Sequence, residues 1–195
     1  MTRTATVIRT TKETDIRVEL DLDGAGQASA ATGMPFFDHM LQQLGKHAGW
    51  DLRVTCEGDL QIDGHHTVED CGIALGEALS EALGDKAGVR RFASVVVPLD
   101  EAAVEVVLDL AGRNFVLHEV PVPVETINGF DTGLLEDFVR AFAQSAELTV
   151  HVHLRYGRSP HHVCEAEFKA LATALGQACA LTGRTGVPST KGTLT

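Results

Sequence analysis

The sequence predicts an α+β fold made by tandem duplication. Two copies of a β-β-β-α-β-α half are expected, each a sheet with helices packed on one face. The first spans residues 1–88 and the second 89–195, together forming one unit. Three observations predict this. His65-His66-Thr67-Val68-Glu69 recurs 96 positions on as His161-His162-Val163-Cys164-Glu165. Alternating apolar segments give way to helical periodicity twice, in the same order. Finally, Glu13…Ile16…Leu20-Asp21-Leu22-Asp23-Gly24 lines up with Glu101…Val104…Leu108-Asp109-Leu110-Ala111-Gly112 at an offset of 88. Asp51-Leu52-Arg53-Val54 likewise lines up with Glu147-Leu148-Thr149-Val150 at an offset of 96. An insertion around Pro121-Val122-Pro123-Val124-Glu125-Thr126 would absorb the difference.

In the first half, residues 4–10 and 16–22 are rich in β-branched side chains and partly alternate, which predicts strands. Asp23-Gly24-Ala25-Gly26 is a turn, and 27–32 is a third strand. Phe36, Phe37, Met40, Leu41 and Leu44 fall at helical spacing, so 36–47 is a helix. Residues 51–57 alternate again. The Ala/Leu/Glu-rich stretch 67–83 is a helix ended by Gly84. In the second half the strands are 92–97, 103–110 and 115–120, with a turn at 111–114. A helix at 134–143, a strand at 148–155 and a helix at 163–182 follow.

Composition limits the function. A formal charge of −11 argues against a general nucleic-acid binder, which needs a basic footprint. No apolar run is long enough to span a bilayer, so no membrane role is expected. The first residues carry no apolar signal core. Cys56, Cys71, Cys164 and Cys179 form no Cys-x-x-Cys pair, and read as reduced thiols of a cytoplasmic protein.

Histidine is the unusual count, at nine. On a helix, residues four apart share a face, and neighbours diverge by roughly 100°. His65 and Glu69 can therefore hold one metal while His66 points elsewhere, and likewise His161 and Glu165 with His162. Two facing helix starts would share two metals, each taking a His/Glu pair from one motif and the odd His from the other. Imidazole and carboxylate without thiolate suit Mn²⁺, Fe²⁺ or Zn²⁺. Asp63-Gly64 and Ser159-Pro160 look like helix starts, with Pro160 in the first turn. His39, early in its helix, and His151, on the strand before the second motif, are further candidate ligands. At an offset of 96 the counterpart of His151 is Thr55. His118 and His153 read as ordinary side chains, and Cys71 and Cys164 as packing.

His39, Gln43 and His47 share one helical face, which fits a functional row and a plain polar face equally. Lys169 lies four residues after Glu165 and so shares its face. With Arg90-Arg91, Arg113 and Ser189-Thr190-Lys191-Gly192 it makes a cationic set suited to a phosphate or carboxylate. Scattered Arg and Lys are more often simply solvated.

Phe36-Phe37-Asp38-His39-Met40-Leu41, Gly64-His65-His66-Thr67-Val68-Glu69-Asp70, Asp109-Leu110-Ala111-Gly112-Arg113, the stretch from His161 to Ala170, and Pro188-Ser189-Thr190-Lys191-Gly192 resemble the imidazoleglycerol-phosphate dehydratases of histidine biosynthesis. The resemblance covers nearly the whole chain and fits the stand-alone form. It implies a ribosomal-protein-S5-domain-2-like duplicated fold. It also implies self-association through trimers to a 24-mer, with active sites between subunits and two Mn²⁺ in each. One metal would be held by His39, His66, His161 and Glu165, and the other by His65, Glu69, His151 and His162. The implied reaction dehydrates D-erythro-imidazole-glycerol phosphate to imidazole-acetol phosphate. The ring would be bound as imidazolate between the metals, and hydroxide lost through a diazafulvene-like intermediate. Glu13 would move a proton, with Glu165 and His47 as further catalytic candidates. Glu13, Gln43, His47, Arg91, Arg113, Lys169, Ser189 and Lys191 would contact substrate. Many relatives carry an Asn- or Asp-containing turn where this chain has Ser159-Pro160, which changes a cap and no ligand.

Two rival readings remain open on sequence. One is a di-metal hydrolase acting on a small phosphorylated substrate. The other is a metal-storage shell without turnover, which would have no use for the cations.

Overall fold

The computed structural model describes residues 2–194; Met1 and Thr195, the outer ends of the predicted halves, lie outside the described residues. The first half runs β1 (Thr4–Thr10), β2 (Thr14–Asp21), β3 (Ala28–Ala31), α1 (Pro35–Ala48), β4 (Asp51–Gly58) and α2 (His65–Leu83). The second runs β5 (Phe92–Leu99), β6 (Ala102–Asp109), β7 (Phe115–Glu119), β8 (Thr126–Ile127), β9 (Phe130–Asp131), α3 (Leu134–Ser145), β10 (Thr149–Tyr156) and α4 (Pro160–Cys179). The boundary predicted at residue 88 falls between α2 and β5.

The two four-stranded sheets have the same topology, β1-β2-β4-β3 and β5-β6-β10-β7. In each, the third strand pairs parallel to the strand that follows the first helix, and the other pairings are antiparallel. Helices cover one face of each sheet. They also pack across the halves, α1 on α4 and α2 on α3. Glycines permit these crossings. A Cβ on Gly76 would sit 2.5 Å from the Phe142 carbonyl oxygen, and one on Gly176 would sit 2.6 Å from that of Ala48.

Strand alternation explains the layering. Ile16, Val18, Leu20, Leu52 and Val54 face the helices from the first sheet, and Val104, Val106, Leu108, Val150 and Val152 from the second; all are buried. The outer faces differ. The first sheet turns Arg17, Glu19, Arg53 and Glu57 outward, whereas the second exposes Phe92, Val96, Val107 and Phe115. Phe37, Phe130, Phe138, Phe142 and Phe168 form a continuous aromatic cluster where the halves meet. Such contacts are worth about 0.5–1.5 kcal/mol each beyond burial.

The duplication is clear, but its register differs from the sequence alignment. Thr4↔Asp21 in the first half and Phe92↔Asp109 in the second match at an offset of 88. On the next ladder Asp21 faces Asp51, whereas Asp109 faces Thr149. Asp51 therefore corresponds to Thr149, 98 positions on, and not to Glu147. By the same ladders His151 occupies the place of Arg53, not of Thr55. The strand pattern repeats every two residues, so a two-residue slip leaves inward and outward positions unchanged. A shorter link from β10 to α4 than from β4 to α2 restores the offset of 96 at the motifs.

Other differences are local. Both motif helices start earlier than predicted, at His65 and Pro160, and α4 ends at Cys179 rather than residue 182. Beyond it Leu181 bridges Val89. The insertion is real, and it contains the unpredicted β8–β9 hairpin. Asn128-Gly129, both at positive φ, turn this hairpin, a signal visible in the sequence. Phe130 of the hairpin enters the aromatic cluster.

Candidate active site

Because α1 packs on α4, a row from each helix meets. Glu165 lies at the centre and is almost buried. Its Oε2 faces His161 Nε2 at 3.3 Å and His39 Nε2 at 3.7 Å. Its Oε1 accepts from Lys169 Nζ at 2.7 Å and from Gln43 Nε2 at 3.3 Å. Gln43 Nε2 is also 3.2 Å from His39 Nε2, and its Oε1 is 2.7 Å from His47 Nε2. The row His39, Gln43, His47 is thus a connected chain and not a plain polar face. Phe36 meets the His161 ring edge-on at 5.1 Å, tying the site to the core. Burial pushes the Glu165 carboxyl up, but the hydrogen bond and charge of Lys169 outweigh it and leave the pKa low. Burial, then Lys169, lowers that of His47.

The first motif sits on the other helix pair. His65 Nε2 is 3.7 Å from Glu69, and its Nδ1 is 3.6 Å from Asp137 on α3. The adjacent histidines diverge as helix geometry requires, with ring planes at 74° in one motif and 86° in the other. His66 Nδ1 lies 3.0 Å from Asp59, and its Nε2 lies 3.8 Å from Glu13. His162 Nδ1 lies 2.6 Å from Glu101, and its Nε2 lies 3.9 Å from Asp100. Asp59 and Glu101 hydrogen bonds raise the pKa of His66 and His162 respectively. Glu101 in turn is held down to about 2, chiefly by His162. At the helix starts, Asp63 takes the His65 backbone N–H, and the Ser159 hydroxyl takes that of His162.

The crossed arrangement of facing helix starts is not closed within one chain. α2 packs on α3 and α4 on α1, so the two motifs belong to different helix pairs. His39, His161 and Glu165 come together without His66. His151 is a cross-strand neighbour of the exposed Val107, so it faces outward from the second sheet, away from the helices. Among the described residues, no group of three His, Cys, Asp or Glu is already placed to hold a metal ion. The donors still fit a borderline or hard divalent metal: nitrogen and oxygen, with all four cysteines buried and free. His153 pairs with Glu119, and His118 with Glu167.

The cationic set is divided. Lys169 belongs to the Glu165 cluster. Arg91, at φ +77°, makes a two-point ion pair with Asp109 at 2.7 and 3.2 Å and donates to the Pro188 carbonyl at 2.8 Å. Its guanidinium lies 4.4 Å over the Phe92 ring. Arg91 thus anchors the segment that carries Ser189 and Lys191. The Ser189 hydroxyl accepts from the Lys191 backbone N–H. Arg113 is exposed in the turn before β7, and its carbonyl lies within 3.4 Å of the Thr149 hydroxyl. Sequence reasoning missed Asp59, Asp100, Asp109 and Asp137 as partners. Glu101 was visible as the counterpart of Glu13, but its grip on His162 was not.

Comparison with known proteins identifies the family and the fold. The model of the imidazoleglycerol-phosphate dehydratase family matches residues 32–175. An imidazoleglycerol-phosphate dehydratase of Parafrankia sp. (strain EAN1pec) is 56% identical over 195 residues, covering 100% of both chains. The crystal structure of IGPD from Pyrococcus furiosus, in complex with (S)-C348, superposes with a TM-score of 0.83 at 38% identity, covering 96% of this chain and 100% of that one. The imidazoleglycerol-phosphate dehydratase of Staphylococcus aureus gives a TM-score of 0.80 at 34% identity, covering 91% and 99%.

Proposed function

From the premise that this chain belongs to the imidazoleglycerol-phosphate dehydratase family, we propose that its active site is completed only between associated copies. The activity itself follows from the family. The chain is a lyase of histidine biosynthesis that dehydrates D-erythro-imidazole-glycerol phosphate to imidazole-acetol phosphate. The hydrolase reading is not favoured beside that membership.

One observation carries the shared site: His39 and His161 converge on Glu165, while His66, on the other helix pair, is held by Asp59 and His151 faces outward from the second sheet. In this reading one Mn²⁺ is held by His39, His66, His161 and Glu165, and a second by His65, Glu69, His151 and His162, with ligands from more than one copy. When bound, the metals would supply charge stabilisation for a ring that must become electron-rich before hydroxide leaves. The exposed apolar face of the second sheet supports self-association, since a patch of that kind on a single chain marks a contact surface. A 24-mer built from trimers in the cytoplasm is the assembly we infer.

The chain's own residues have distinct roles in this reading. Glu13 lies in the turn between β1 and β2, half-exposed and beside His66, and moves a proton. Gln43 and His47 orient the substrate from α1. Arg91, Arg113, Ser189 and Lys191 grip the phosphate, Arg91 also through its hold on Pro188. Lys169 keeps Glu165 ionised.

The test is to incubate Mn-loaded protein with imidazole-glycerol phosphate. A ketone product without free phosphate is expected. Released phosphate would point to the hydrolase instead, and high metal content without turnover to storage.

A further inference from the structure

His66 and His162 stand in the same relation to two carboxylates each. In both, Nδ1 is held by one carboxylate, Asp59 or Glu101, and Nε2 lies farther, 3.8 or 3.9 Å, from a second, Glu13 or Asp100. Glu101 uses both oxygens. Oε2 takes His162 Nδ1 at 2.6 Å, and Oε1 takes the backbone N–H groups of Ser159 at 2.8 Å and Arg158 at 3.2 Å. One side chain therefore fixes the ring and the loop that leads into α4.

The two halves reach this arrangement with residues that are not counterparts. Under the duplication Glu101 corresponds to Glu13, and Glu13 lies on the Nε2 side of His66. Asp59, just after β4, does for His66 what Glu101 does for His162. A contact inherited with the fold would reuse the same position. Two different positions giving the same geometry indicate that the geometry itself is needed.

We propose that Glu101 is the positioning residue for His162, and Asp59 for His66: each keeps the proton on Nδ1, so that Nε2 offers its lone pair outward to the metal. Carboxylates behind metal-bound histidines fix tautomer and ring orientation in this way. This rests on the reading of both histidines as ligands, and the test separates the two.

Glu101→Ala and Glu101→Gln are compared with the unaltered protein in two measurements. Mn²⁺ affinity is followed by the electron paramagnetic resonance of free Mn²⁺. The His162 tautomer is followed in the metal-free protein by ¹⁵N NMR of labelled histidine. At a pH high enough for the ring to be neutral, the expected result is an Nδ1–H tautomer in the unaltered protein that is lost in Glu101→Ala. One of the two metals should bind about 10- to 100-fold more weakly in that variant, the range typical for such partners. Glu101→Gln retains an acceptor and should recover part of both. Unchanged Mn²⁺ affinity in Glu101→Ala would overturn the positioning role and leave the metal reading standing. Equal weakening of both metals with the tautomer unmoved would also overturn it, as mere loosening of the loop. Failure of the unaltered protein to bind Mn²⁺ would remove the metal reading itself.

Discussion

Lys169 reaches back one helical turn to place Nζ 2.7 Å from Glu165 Oε1, so one oxygen of that carboxylate is occupied and the other faces His161. A nearly buried carboxylate stays charged only with such a partner.

Glu165→Gln removes that charge at nearly constant volume. The expected outcome is a loss of about 10²- to 10⁴-fold in kcat, the usual range for a group that moves protons, with weaker Mn²⁺ binding at one position. Steady-state kinetics and metal analysis on the same sample check this. Full activity with both metals bound would remove Glu165 from the mechanism.

Chelation should break the assembly. If ligands from different copies share a metal, prolonged dialysis against a chelator should release smaller species on size exclusion, and Mn²⁺ should rebuild the large one. A metal-free protein that still elutes as a 24-mer would show that packing alone is sufficient.

His118 and Glu167 form a buried pair 2.9 Å apart, and neither is a predicted ligand. Desolvation, the largest influence, lowers the His118 pKa. The hydrogen bond and charge of Glu167, helped by Glu136, outweigh it, so the net shift is upward from 6.5. A raised folded value means that this stabilisation is fully present below about 6.5 and is lost as the pH rises through the folded value. Urea unfolding should therefore show stability falling from pH 6 towards pH 8 more steeply in the unaltered protein than in His118→Gln. At pH 6, His118→Ala should cost about 3–5 kcal/mol, because it strands Glu167 without its partner. Parallel pH profiles for the two proteins would rule out the pair as the source.

Gly76→Ala tests the α2–α3 crossing. Helix propensity alone favours Ala by about 1 kcal/mol. The added methyl would stand 2.5 Å from the Phe142 carbonyl oxygen, part of a helix backbone that cannot swing aside. Overpacking of this kind costs about 1–3 kcal/mol, so a net loss of stability is expected in thermal or urea unfolding. A more stable variant would mean that the helices separate readily.

Much of the fold was legible because its signals are local. The apolar spacing of Phe36, Phe37, Met40, Leu41 and Leu44 marks α1, and all five are buried. The repeated His-His-x-x-Glu marks two helix starts. The slip of β10 was not legible, because a period-two pattern looks the same after a shift of two. The β8–β9 hairpin was legible in principle from Asn128-Gly129, but its two-residue strands have too few side chains to show alternation. At the site, His39, His161, Glu165 and Lys169 could be placed on helix faces from spacing. The partners Asp59 and Asp137 could not, since their contacts depend on loop course and helix crossing. His151 was recognisable as a candidate, and the two-residue slip does not alter its outward direction; what the alignment misplaced was its counterpart, which is Arg53 and not Thr55.

That outward direction has a genetic consequence. If His151 serves a site whose His65 belongs to another copy, an allele lacking one can supply the other. His65→Ala and His151→Ala chains, each inactive alone, should regain part of their activity when co-expressed, because some sites in the mixed shells would be wild type in every ligand. Two dead alleles would then support growth without added histidine.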